Sequence, residues 1–166
     1  MNKLTFLVSV FLLSASLGTF QAAAEQPFWK TQPALGNARL SVLFWDIYDA
    51  WYFRSQNEQA LKLTYLRDFS KRALVKETAS QWQRMSLLHP LNNVWLAQLE
   101  NMWPDIDKGD TLVCHLNPQG QSVFYHNGKR IGQVDDPDFG PQFLSIWIGP
   151  EAEYQSIRKQ LLNLSP

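Results

Sequence analysis

Cysteine is almost missing from this chain: Cys114 stands alone among 166 residues. No disulfide can form within the chain, and no paired-thiol zinc or redox motif is available. Cys114 lies in an apolar extended segment and reads as a small buried side chain rather than a thiolate nucleophile. Glycine is sparse too, with 8 copies, and these never gather into a phosphate-cradling loop. No sign of charge prevails, because Lys+Arg and Asp+Glu number 15 each. Without a basic run there is no nucleic-acid footprint and no polybasic membrane patch. The 3 histidines, His89, His115 and His126, have no metal-ligand spacing on a common element. His115 follows Cys114 in an extended segment, so the two side chains face opposite ways and form no dyad. The acidic stretch from Asp105 fails as a calcium loop: its glycine falls one place early, and Leu116 stands where the closing glutamate belongs. No metal and no cofactor is expected.

Long apolar runs are absent except at the start. Lys3 precedes an apolar segment from Leu4 to Leu17, and Ala22-Ala23-Ala24 supplies the small residues that a signal peptidase reads. The segment is too short and too serine-rich for a bilayer-spanning helix. The expectation is a signal peptide over 1–24, cleaved after Ala24, with a periplasmic domain over 25–166 and no transmembrane segment left. Roughly 140 residues make one domain with a real core, expected to act as a monomer. Losing Lys3 leaves it with one more acid than base.

What the chain does have is aromatics, with 7 Trp, 10 Phe and 5 Tyr, and clear local grammar. Residues 25–38 read as irregular, with a poor edge-strand signal. Arg39–Arg54 is a long extended run whose apolar residues fall on both parities, which requires cover on both faces or a bulge near Asp46. Gln59–Arg67 is the next strand. Ser70 caps a helix to about Leu87 with Leu74, Thr78, Trp82 and Met85 on its apolar face. Asn92 or Asn93 caps a second helix, which ends before Pro104. Thr111–Leu116, Ser122–His126 and Arg130–Val134 are strands, the last two joined by Asn127-Gly128, the strongest short hairpin signal. Asp136 and Pro137 open a helix to Ile148, and Glu151–Leu162 is a last amphipathic helix. Strand runs and helix runs are segregated, so the class is α+β: an antiparallel sheet with helices on one face.

The segment from Gly109 to Ile148, taken with Tyr65–Phe69 and Trp95–Leu99, resembles the chalcone isomerase-like family, in particular its small exported bacterial members. The resemblance implies a ligand cleft between sheet and helices. In the fatty-acid-binding branch, an arginine and a tyrosine hold the ligand carboxylate, and the positions carried over are Arg39 and Tyr48. A guanidinium grips a carboxylate through two parallel bonds and a phenol adds a third. The two positions differ by nine, so a regular strand would turn them to opposite faces unless a bulge intervenes. Arg67 is read either as a second cationic ligand contact or as the partner of a nearby carboxylate at the strand-to-helix corner. The isomerase machinery falls on changed residues, near Leu43, Lys71, Thr78 and Ile146, which argues against chalcone isomerase activity.

The resulting expectation is a periplasmic, non-enzymatic binding protein. Its ligand would be a small amphipathic molecule such as a fatty acid, contacted by Arg39, Tyr48 and Arg67. The alternatives are a cofactor-free isomerase or lyase and an envelope interaction module without a pocket.

Overall fold

The computed structural model describes residues 26–164. The expected leader and its cleavage point after Ala24 lie outside the described residues. One antiparallel sheet carries six strands in chain order: β1 (Gly36–Val42), β2 (Trp45–Arg54), β3 (Gln59–Tyr65), β4 (Thr111–Leu116), β5 (Ser122–His126) and β6 (Lys129–Val134). A short helix, α1 (Phe28–Thr31), precedes the sheet. Between β3 and β4 come α2 (Lys71–Arg84) and α3 (Asn92–Met102), and after β6 come α4 (Phe139–Ile148) and α5 (Gln155–Leu161).

The long extended run is two strands rather than one. Val42 pairs with Trp45, so Leu43-Phe44 forms a two-residue turn with Leu43 at φ 55°. No glycine, proline or asparagine marks it, so residue type alone gives no turn there. Strand period 2 then sorts the side chains. Leu40, Ala50, Tyr52, Leu61, Leu63, Leu112, Cys114 and Phe124 face the four longer helices. Phe53, Ala60 and Val113 face the other way and are covered by Trp29 of α1. The expectation of helices on one face therefore holds for α2–α5, while α1 packs on the opposite face. Apolar residues of both parities in β2 are explained by this two-sided cover.

Aromatic edges knit the helical layer. Trp82 meets Trp95 at 6.0 Å and Trp95 meets Phe139 at 5.6 Å between ring centroids. Phe139 stacks on Phe143 at 5.4 Å, and Phe124 of the sheet meets Phe143 at 5.5 Å. Such contacts add to large buried areas. Gly36 lets α5 lie directly on β1: a Cβ there would fall 2.1 Å from the Gln160 carbonyl oxygen.

Helix boundaries follow local hydrogen bonding. Ser70 Oγ accepts from Ala73 N–H at 3.2 Å and caps α2. Ser86, at φ 55°, turns the chain just beyond its end. Asn92 does not cap α3 with its side chain. It donates to the Leu87 carbonyl at 2.8 Å and accepts from Gln142 at 2.7 Å, tying α3 to α4. Asp136 accepts from Asp138 N–H at 3.0 Å, which makes a turn out of the residues expected to start α4 and delays the helix to Phe139. Gly149–Ala152 forms a further turn, so α5 begins at Gln155 rather than Glu151.

Candidate functional site

A cavity of about 470 Å³ lies between the β1–β3 end of the sheet and helices α2, α4 and α5. The sheet contributes Leu40, Val42, Ile47, Tyr48, Leu63 and Tyr65. These are the inner-face positions of their strands, with one addition. Leu40 pairs with Tyr48 and Ser41 with Asp46, so Ile47 is an extra residue in β2. This bulge turns both Ile47 and Tyr48 toward the cavity. Helix α2 supplies Leu74, Thr78 and Gln81, spaced four and three apart on one face, with Glu77 beside them. Ile146 and Trp147 of α4, together with Tyr154 and Ile157, close the remaining side.

The lining is mainly apolar, and its polar groups are few and placed. Tyr48 Oη accepts from Trp147 Nε1 at 2.8 Å, leaving the phenol's own proton free to donate. Burial pushes the Tyr48 and Tyr65 phenols far above their ordinary range, so both stay protonated. Thr78 Oγ1 donates to the Leu74 carbonyl at 3.0 Å. Gln81 Nε2 donates to Glu77 Oε1 at 2.9 Å and to Glu153 Oε2 at 2.8 Å, while Gln81 Oε1 is buried without a protein partner. Trp103 Nε1 is likewise buried and unpartnered. Arg84 bridges Glu77 at 2.6 Å and Glu153 at 3.1 Å. Glu77 is the only charged side chain of the lining, and its 61% exposure marks an opening. Among the described residues, no Arg, Lys or His lines the cavity.

Of the residues singled out from sequence, Tyr48 reaches this cavity and Arg39 does not. Arg39 pairs across the strands with Asp49, whereas its neighbour Leu40 pairs with Tyr48. The two side chains therefore leave opposite faces of the sheet, because the bulge lies beyond both pairs. On the outer face Arg39 Nε donates to Asp49 Oδ1 at 2.6 Å, Nη2 to Asp49 Oδ2 at 2.9 Å and Nη1 to Asp46 Oδ2 at 3.2 Å. These bonds, that to Asp49 first, raise its pKa further. The expectation that Arg39 faces the cleft is corrected accordingly. Arg67 also lies outside the cavity. Its guanidinium carbon sits 4.1 Å from the ring centroid of Trp45, so its partner is an aromatic face rather than a carboxylate.

Glu77, Gln81, Trp147 and Tyr154 were not singled out from sequence. The one available signal was polar residues, Thr78 and Gln81, interrupting the buried side of α2. The four positions aligned with the isomerase machinery scatter. Leu43 is at the exposed turn, Lys71 starts α2, and only Thr78 and Ile146 line the cavity. Cys114 is buried, which raises its thiol pKa well above the usual range. Among the described residues no three His, Cys, Asp or Glu side chains are grouped to hold a metal ion, and no helix is long and apolar enough to cross a membrane.

Residues 48–163 match the family model described as chalcone isomerase-like, and the chain belongs to that family. An uncharacterized protein of Haemophilus influenzae is 24% identical over 158 residues, spanning 91% of this chain and 76% of that one. Among solved structures, a fatty-acid binding protein of Arabidopsis thaliana superposes with a TM-score of 0.63 at 14% identity, covering 78% of this chain and 86% of that one. At that identity the likeness establishes the shared fold.

Proposed function

We propose that this chain is a non-enzymatic binding protein that takes one small amphipathic molecule into the cavity between sheet and helices. The observation that carries this is the cavity itself: about 470 Å³ with a mainly apolar lining, within the size range of small-molecule sites. A few convergent polar groups in such a pocket orient a ligand. Here they are the phenols of Tyr48 and Tyr65.

A fatty acid suits the apolar body of the cavity. Its head would meet neutral donors rather than a guanidinium, with Glu77 repelling a carboxylate at the opening. The polar ligand contacts we propose are Tyr48 and Tyr65. A periplasmic location is part of the same proposal. The test is native mass spectrometry of protein recovered from its own source, followed by titration of stripped protein with the neutral fluorophore N-phenyl-1-naphthylamine. A co-purifying small molecule and saturable probe binding at one site, displaced by dodecanoic acid or dodecanol, are expected. Absence of any saturable binding would end the proposal.

A further inference from the structure

The β1–β2 turn combines two features that occur separately elsewhere among the described residues, exposed apolar side chains as at Leu88 and a positive φ as at Ser86. Phe44 is 98% exposed, Leu43 87% and Trp45 59%, three consecutive large apolar side chains in water. Leu43 also sits at φ 55°, a conformation that L residues with bulky side chains rarely adopt and that Gly or Asn adopts readily. The same sheet builds its β5–β6 turn from Asn127 and Gly128, at φ 49° and 80°, the residues such a turn favours. Strained apolar residues at a fully exposed tip point to a use for their side chains.

We propose that this turn is a membrane-docking tip: Leu43 and Phe44 insert into the acyl boundary of a bilayer, Trp45 lies at the headgroup level, and Arg67 meets lipid phosphate. Four observations select a lipid surface over other occupants. A two-residue tip is far smaller than the roughly 800 Å² per partner that a stable protein interface needs. The order of the chemistry is that of an interface, with an aliphatic and a phenyl group at the apex, an indole at the rim and a cation stacked on that indole at 4.1 Å. Arg39, Asp46, Asp49 and Ser41 satisfy one another beside the turn, which leaves Arg67, with no carboxylate partner among the described residues, as the cation available to a phosphate. Finally, the tip is continuous with the cavity. Val42 and Ile47, which flank the turn and its rim, both line it. Docking would thus set that end of the cavity against the lipid surface. The transfer of an amphipathic ligand from bilayer to cavity rests on the function proposed above, whereas the docking itself does not.

The experiment is co-sedimentation of the protein with vesicles of phosphatidylcholine alone and of phosphatidylcholine mixed with phosphatidylglycerol. The key variant is Leu43→Gly/Phe44→Asn, which puts glycine at the positive-φ first position of the two-residue turn and so keeps the hairpin. Wild type is expected to partition onto both vesicles. The double variant should lose about a hundredfold in partition coefficient, the effect of withdrawing two large apolar side chains, with thermal stability equal or higher. Arg67→Gln should lower partitioning onto the phosphatidylglycerol mixture by about fivefold and onto phosphatidylcholine by less, because there the choline already offsets the phosphate charge. Failure of wild type to sediment with either vesicle, or equal sedimentation of the double variant, overturns docking. So does a concentration-dependent wild-type dimer that the double variant abolishes, since the tip would then be covered by a second copy. N-phenyl-1-naphthylamine titration of the wild type separates the two proposals. Probe binding without vesicle binding spares the cavity reading and ends this one, and the reverse result ends the cavity reading alone.

Discussion

Thr78→Leu is expected to stabilise this protein, against the usual direction for a change at a buried position. Thr78 lies within α2, 6% exposed, with its side chain on the cavity. Leucine replaces a hydroxyl by a methyl-sized group and adds one carbon, both entering space that is already empty. At about 0.8 kcal/mol per buried methylene, this contributes roughly 1.6 kcal/mol. Exchanging a β-branched residue for leucine in a helix interior adds about 0.4 kcal/mol. The hydrogen bond from Thr78 Oγ1 to the Leu74 carbonyl is lost, which costs about 1 kcal/mol. The net gain is about 1 kcal/mol, or a rise of about 2–4 °C in Tm for a domain of this size.

The same substitution narrows the site, so N-phenyl-1-naphthylamine affinity should fall by roughly tenfold, the equivalent of about 1.4 kcal/mol. Urea unfolding followed by far-ultraviolet circular dichroism gives the stability change, and fluorescence titration gives the affinity. Opposite signs of the two effects are the signature of filling a ligand cavity. Destabilisation by more than about 1 kcal/mol at constant m-value would mean that the space is already packed, because overpacking costs about that much or more. Unchanged probe affinity would place the binding elsewhere.

Arg39→Ala should leave probe and dodecanoic acid affinity within about twofold of wild type, measured by the same titration, because a factor of ten needs about 1.4 kcal/mol of direct interaction; a large loss would return Arg39 to the site. Tyr48→Phe should weaken binding and also destabilise by about 0.5–1.5 kcal/mol, since it removes the acceptor of the half-buried indole N–H of Trp147. Asp110 accepts from Asn127 Nδ2, Asp107 N–H and His126, which lower its pKa to about 2. A carboxyl depressed on folding stabilises above its unfolded value near 4 and loses that contribution as pH falls toward 2. The decline in stability between these values should therefore be shallower in Asp110→Asn than in wild type, as read by urea unfolding at each pH. Cys114→Ala should cost about 1 kcal/mol without altering binding, and the native thiol should react slowly with a thiol reagent; rapid labelling would show that the strand opens.

What was legible in the sequence was what local chemistry decides. The Asn127-Gly128 hairpin, the Ser70 cap and the extents of β4 and β5 are written in residues whose conformational preferences are strong and short-range. The β1–β2 hairpin was not legible because Leu43-Phe44 runs against turn preference, and an apolar dipeptide inside an apolar run reads as more strand. The start of α4 was off because Asp136 and Pro137 are as well suited to the turn before a helix as to its first residues. Helix α1 was missed because four residues carry no periodicity; its existence depends on the outer-face surface of Phe53, Ala60 and Val113 that Trp29 covers.

The candidate site was legible at Tyr48 and not at Arg39, and the difference comes down to one residue of register. Positions nine apart on a strand diverge, and only an odd number of extra residues between them would bring them together. A bulge does exist, at Ile47, but the chain has already turned back through Leu43-Phe44, so the relevant relation is cross-strand pairing. Leu40 opposes Tyr48 and Arg39 opposes Asp49. Turning Arg39 inward would require shifting β1 by one residue, which would carry Ala38 and Leu40, 6% and 8% exposed, out to the solvent face. Exposing Leu40 alone costs about 1.5–3 kcal/mol, and the shift would also separate the guanidinium from Asp49 and Asp46. The buried pattern of β1 and the acidic pair of β2 thus hold Arg39 outside by the same register that holds Tyr48 inside. For the proposed ligand, the polar partners are therefore the phenols of Tyr48 and Tyr65 rather than an arginine.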